Sequence, residues 1–147
     1  MNIHNADNNF NTNHHEPNEP HEKISLFYKK ECYNIYGCIY AVNKKLGAGF
    51  LESIYQEALE IELRRGNIPF ISQQELEIFY DGIPLTKKFI ADIVCYGKII
   101  IEVKAVSKIN DQHKAQLTNY LSATGYRLGL IVNFNSFPVA DIIRMVR

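Results

Sequence analysis

The hydrophobic positions of this 147-residue chain change period twice along its length. Tyr28, Cys32, Ile35, Ile39, Val42 and Leu46 recur at helical spacing, which predicts a first helix over 24–45. Gly47-Ala48-Gly49 interrupts it. A second helix is predicted over 50–65, with Leu51, Ile54, Ala58 and Ile61 on its buried stripe and Gly66-Asn67 at its end. Beyond Pro69 the period falls to two. Leu76, Ile78 and Tyr80 alternate with polar neighbours as a strand, and Asp81-Gly82 reads as a hairpin turn. Further strands are predicted over 88–96 and 99–106, joined by a turn at Gly97-Lys98. Helical spacing returns over 110–123 and Gly125 closes it; 128–134 is apolar enough to be a strand buried on both faces. The stretch after Pro138 is a short terminal element of no definite period. The order α-α-β-β-β-α-β calls for a mixed sheet and an α/β or α+β class.

Composition divides the chain. Residues 1–23 are rich in Asn, His, Glu and Pro and offer almost nothing to bury, so the expectation there is a disordered tail. Its histidines, His4, His14, His15 and His21, are spaced too irregularly to specify a metal site. One domain is expected over 24–147. The tail holds Asp7, Glu16, Glu19 and Glu22 against Lys23, a net of −3, which leaves +3 for the rest of a chain of formal charge +0. A mildly basic domain permits phosphate contacts without demanding them. Cys32, Cys38 and Cys95 form no C-x-x-C pair, which excludes a disulfide framework and a recognisable zinc site. No run approaches the roughly 18 apolar residues of a membrane span, and no secretion signal opens the chain, so a cytoplasmic location away from membranes is expected.

Candidate chemistry sits on the two predicted strands around Gly97. A hairpin centred there sets Asp92 opposite Glu102, with Lys104 one step further along the same face. The other face would receive Ala91, Ile93, Cys95, Ile99, Ile101 and Val103. Two neighbouring carboxylates repel unless a cation lies between them, and their oxygens suit a hard cation such as Mg²⁺. Such a cation polarises a phosphodiester and acidifies a water, while an ammonium stabilises charge growing on the phosphate. The competing reading is an ordinary ion pair between Lys104 and one carboxylate. Apolar strands on either side weigh against it, because charges embedded there need a partner or a metal. On the following helix Gln116 and Tyr120 share one face with His113, able to hold the lysine, a phosphate or a base. Glu52, early on the second helix, is a further candidate; Glu57, Glu60 and Glu62 read as solvated charges.

At these residues the chain resembles the PD-(D/E)XK nuclease superfamily. Asp92…Glu102-x-Lys104 is similar to its signature, and Gln116-Leu117-Thr118-Asn119-Tyr120 to the Q-x-x-x-Y motif of its RecB-like and phage-exonuclease branch. Gly49-Phe50-Leu51-Glu52-Ser53-Ile54-Tyr55 resembles the G-x-x-E-x-x-Y motif that names a family of small bacterial proteins within it. The likeness runs from about Ile24 to Val146, with Ala91 where the superfamily name has proline. It implies a restriction-endonuclease-like core, a mixed sheet flanked by helices. It further implies metal ligands Asp92, Glu102 and Glu52, catalytic Lys104, supporting Gln116 and Tyr120, and Mg²⁺ with Mn²⁺ as substitute. The substrate would be nucleic acid, DNA ahead of RNA. The alternative is a catalytically silent nucleic-acid-binding or assembly module that keeps the fold. A homo-oligomer is also compatible, through a first helix carrying Tyr28, Tyr33, Tyr36 and Tyr40.

Overall fold

The computed structural model describes residues 27–147. The predicted tail and the first residues of the first predicted helix lie outside the described residues. Helices α1 (Lys29–Leu46) and α2 (Glu52–Arg65) lead into strand β1 (Phe70–Leu76). A small hairpin, β2 (Phe79–Tyr80) with β3 (Ile83–Pro84), precedes β4 (Phe89–Cys95) and β5 (Ile99–Lys104). Helix α3 (Asp111–Thr124) and strands β6 (Leu128–Asn133) and β7 (Asp141–Val146) follow.

The main sheet has the order β1-β4-β5-β6-β7. Only β5 and β6 run parallel; α3 supplies the crossover that a parallel pair requires. Helices α1 and α2 pack on one face around Ile35, Ile39, Tyr55 and Leu59, against Ile93, Ile101 and Leu130. Helix α3 covers the other with Leu117 and Leu121, over Val94, Ile100 and Ile131. This is the expected α/β class with a mixed sheet flanked by helices. β6 is buried along its whole length, as its apolar run predicts.

Several expectations change. The strand read through Leu76, Ile78 and Tyr80 is two pieces: β1 begins at Phe70, and Tyr80 belongs to the separate hairpin. β1 is an edge strand held by its backbone ladder to β4, and most of its side chains are exposed, so it carries no hydrophobic alternation. The terminal element is strand β7, antiparallel to β6. On α2 the buried stripe is Tyr55, Leu59 and Leu63, not the predicted Leu51, Ile54 and Ile61, which are 71%, 41% and 40% exposed. The helix turns that way because Tyr55 stacks on Phe134, ring centroids 4.7 Å apart, and a buried aromatic outweighs aliphatic residues left at the surface. Finally, Glu60 and Glu62 are largely covered, not solvated: Glu60 accepts a hydrogen bond from Ser72 Oγ, and Glu62 pairs with Lys45 and Arg65.

The pleat itself switches faces beside the candidate site. Phe70 and Cys95 pack under α1 and α2, whereas Leu76, Phe89 and Ala91 pack under α3. Strict alternation would put Phe70 with Leu76, and Ala91 with Cys95. The ladder between β1 and β4 runs on both sides of Gln73 and Asp92 but omits that pair, and Gln73 is left-handed at φ 49°. Ala91 therefore does not share the face of Ile93, as the hairpin alone predicts, because the backbone turns over between them.

One close approach sets the seat of α3. A Cβ on Gly129 would stand 2.9 Å from Leu117 Cδ2 and 3.1 Å from its Cγ. Gly129→Ala is expected to destabilise the fold by about 1–2 kcal/mol, measured by urea unfolding, since Leu117 is itself buried and must shift.

Candidate active site

The ladder between β4 and β5 pairs Cys95 with Ile99, Val94 with Ile100 and Ile93 with Ile101, the register expected for a hairpin centred on Gly97. It then stops. Where the next rung would form, the amide of Val103 donates to Asp92 Oδ2 at 2.8 Å. A side chain has taken a backbone partner, so the strands part and Asp92 sits at the opening. Glu102 and Lys104 follow on β5 and face the α3 side, as Ile100 does.

Both carboxyls are held above the ordinary range. Burial pushes Glu102 up to about 8, aided by the neighbouring Asp92 carboxylate and opposed by the Lys104 charge. Burial also raises Asp92, against the Val103 amide and Lys104, with Glu52 adding to the rise. Glu102 Oε1 is buried and has no hydrogen-bond partner among the described residues; Gln74 Oε1 is the other such side-chain oxygen. Lys104 makes no ion pair with either carboxylate among the described residues, which removes the simple salt-bridge reading. An unpartnered buried carboxylate oxygen beside a second carboxylate is a donor set that fits a hard cation. Among the described residues no three His, Cys, Asp or Glu side chains come together as a ready metal cage.

Glu52 arrives from another element. It opens α2, and its Oε1 accepts from the Ala105 amide, just past Lys104, at 3.3 Å. Its placement depends on Tyr55, fully buried, whose hydroxyl donates to Gly47 O at 2.6 Å and accepts from the Phe50 amide at 3.2 Å. Gly49 turns this loop at φ 109°, a conformation that side chains disfavour. The Gly49, Glu52 and Tyr55 motif is thus a loop, a carboxylate and the pin that fixes both.

A cleft of about 380 Å³ lies on the α3 side, lined by Glu102, Lys104, His113, Gln116, Tyr120 and Lys88 among others. The structure therefore brings Gln116 and Tyr120 to the same cleft as Glu102 and Lys104. Phe89 stacks on Tyr120 with centroids 3.7 Å apart and fixes its ring. His113 closes a capping box: its amide donates to Asn110 Oδ1, and its Nδ1 accepts from the Asn110 amide.

Three contributors escape sequence reasoning. Asn133 is buried at 1% exposure; its Oδ1 accepts from the Val106 amide at 3.1 Å and its Nδ2 donates to Val106 O at 2.8 Å, which clamps the chain leaving Lys104. A lone amide ending an apolar strand is its only sequence signal. Gln56 holds the Asp92 carbonyl from α2, Gln73 braces Gln56 from β1, and neither carries any signal in the sequence.

Among the described residues no helix is long and apolar enough to cross a membrane. Cys32, Cys38 and Cys95 are free and buried. A family model described as the PD-(D/E)XK nuclease superfamily matches residues 29–145. No curated protein and no solved structure matches the chain.

Proposed function

Because the chain belongs to the PD-(D/E)XK nuclease superfamily, we propose that it is a divalent-cation-dependent nuclease that hydrolyses nucleic-acid phosphodiester bonds. The observation that carries this reading is Glu102: a buried, unpartnered carboxylate oxygen beside Asp92, at the point where two strands part. Mg²⁺, with Mn²⁺ as substitute, is the cation that an all-oxygen site favours. Preference for DNA over RNA rests on the family likeness alone.

When bound, the cation would polarise the phosphodiester and make a water acidic enough to attack it. Asp92 and Glu102 would hold it, with Glu52 reaching in from α2. Substrate and water oxygens would complete the set, since the described residues supply no preformed cage of three. Lys104, which lines the same cleft, would stabilise the negative charge that grows on the phosphate. Gln116 and Tyr120, which line the same cleft as Glu102 and Lys104, would hold a phosphate or base there.

A silent binding module is the second reading, favoured by the lack of a ready three-ligand group among the described residues and by a formal charge of +0. The deciding assay presents single- and double-stranded DNA and RNA to wild type and Lys104→Ala, with Mg²⁺, Mn²⁺ or chelator. Cleavage that needs the cation and falls about 10²- to 10³-fold in Lys104→Ala supports the enzyme. Unchanged cleavage in the variant removes the assignment. Absence of cleavage, with binding that weakens steeply with salt, selects the module.

A further inference from the structure

Asp92 lacks a ladder partner on either side: the register to β1 omits it with Gln73, and the register to β5 stops at Ile93. A strand residue without its ladder is free to move unless other groups hold it. Gln56 does so directly, and Gln73 braces Gln56. Gln56, one helical turn after Glu52, donates from Nε2 to the backbone carbonyl of Asp92 at 3.1 Å. Gln56 Oε1 accepts from Gln73 Nε2 at 3.1 Å, and Gln56 Nε2 also lies 3.2 Å from Glu60 Oε1 and 3.3 Å from Ser72 Oγ. Gln73 adopts φ 49°, where a residue with a side chain is strained, at the rung where both strands change face. Strain of this kind persists only where its surroundings over-determine it, and it clusters at working sites.

We infer that Gln56 and Gln73 are positioning residues that aim the Asp92 carboxylate at the cation site and couple it to the helix bearing Glu52. This rests on the nuclease reading above. The left-handed turn at Gln73 reverses the pleat so that Asp92 faces the opening. The Gln56 amide replaces the missing ladder bond. Neither glutamine touches the cation or the substrate.

The test compares wild type, Gln73→Gly and Gln56→Met. Melting is followed while Mn²⁺ is titrated, and kcat and KM are measured on whichever polynucleotide the wild type cleaves. Gln73→Gly removes the amide and relieves the backbone, so it should melt no lower than wild type without metal. Gln56→Met keeps the side-chain length and loses only the hydrogen bonds. Both variants should need about ten- to a hundred-fold more Mn²⁺ for half the melting shift, with kcat reduced and KM little changed. Mn²⁺ midpoints and kcat equal to wild type in both variants would overturn the inference while leaving the nuclease reading intact. So would a lower melting temperature in Gln73→Gly with its Mn²⁺ midpoint unchanged, since that marks a scaffold role only. A wild type that neither responds to Mn²⁺ nor cleaves overturns both together.

Discussion

Asp92→Asn will reduce cation-dependent cleavage by about 10³-fold or more while making the metal-free protein more stable. The opposite signs have one cause. Without a cation, burial holds both Asp92 and Glu102 above their ordinary range, with Glu52 adding to the rise of Asp92 and Asp92 to that of Glu102. Asparagine keeps an oxygen to accept from the Val103 amide but brings no charge, so folding no longer has to bury both. The gain at pH 8 should be on the order of 1–3 kcal/mol, read from denaturant unfolding. Mn²⁺ or Mg²⁺ at millimolar concentration should raise the melting temperature of wild type and not of Asp92→Asn. A cation shift of equal size in both proteins would place the ion elsewhere.

The same pair sets a pH dependence. Glu102 has its folded pKa raised to about 8, above the ordinary carboxyl range it has when unfolded. A raised acid contributes stability below the unfolded value and loses it as pH climbs through the folded one. Metal-free wild type should therefore become less stable from about pH 5 to pH 8, by a few kcal/mol on the order-of-magnitude scale of such shifts. Asp92, raised as well, acts in the same direction. Glu31 and Glu62, held low by Lys98 and Lys45, lose their contributions only in acid and do not cancel the trend. Saturating cation should flatten the profile, and melting curves across pH with and without it measure the difference.

Tyr55→Ala carries the largest expected loss of stability, about 3–5 kcal/mol, against the 5–15 kcal/mol typical of a whole domain. It removes a fully buried ring, the stack on Phe134 and the two hydrogen bonds that pin the loop from Gly47 to Phe50. Tyr55→Phe separates these effects. It keeps the ring and should cost about 1–2 kcal/mol for the lost hydroxyl bonds. Because that loop sets where α2 begins, Tyr55→Phe should also lower cleavage through a displaced Glu52. Urea unfolding and the cleavage assay on the same preparations give both numbers. A phenylalanine variant of full activity would show that the loop holds its course without the pin.

Local order along the chain determined much of this protein. The period of α1, the turn at Gly97 and the apolar run of β6 each arise from neighbouring residues, and all three are legible without coordinates. The hairpin register was legible as far as Ile93 and Ile101, since a tight turn leaves little choice of pairing. Tertiary structure decided what depends on distant partners. Two apolar stripes compete on α2, and Phe134, far along the chain, selects the one holding Tyr55. β1 has no pattern of its own and exists because β4 offers its backbone. Ala91 changes face through the left-handed turn at Gln73 in a different strand. Glu52 reaches the site, Gln56 reaches Asp92 and Gln73 reaches Gln56, by sheet pairing and helix packing. Hydrophobic period is a property of neighbours in sequence, whereas a polar network is made by neighbours in space, and only folding turns one into the other.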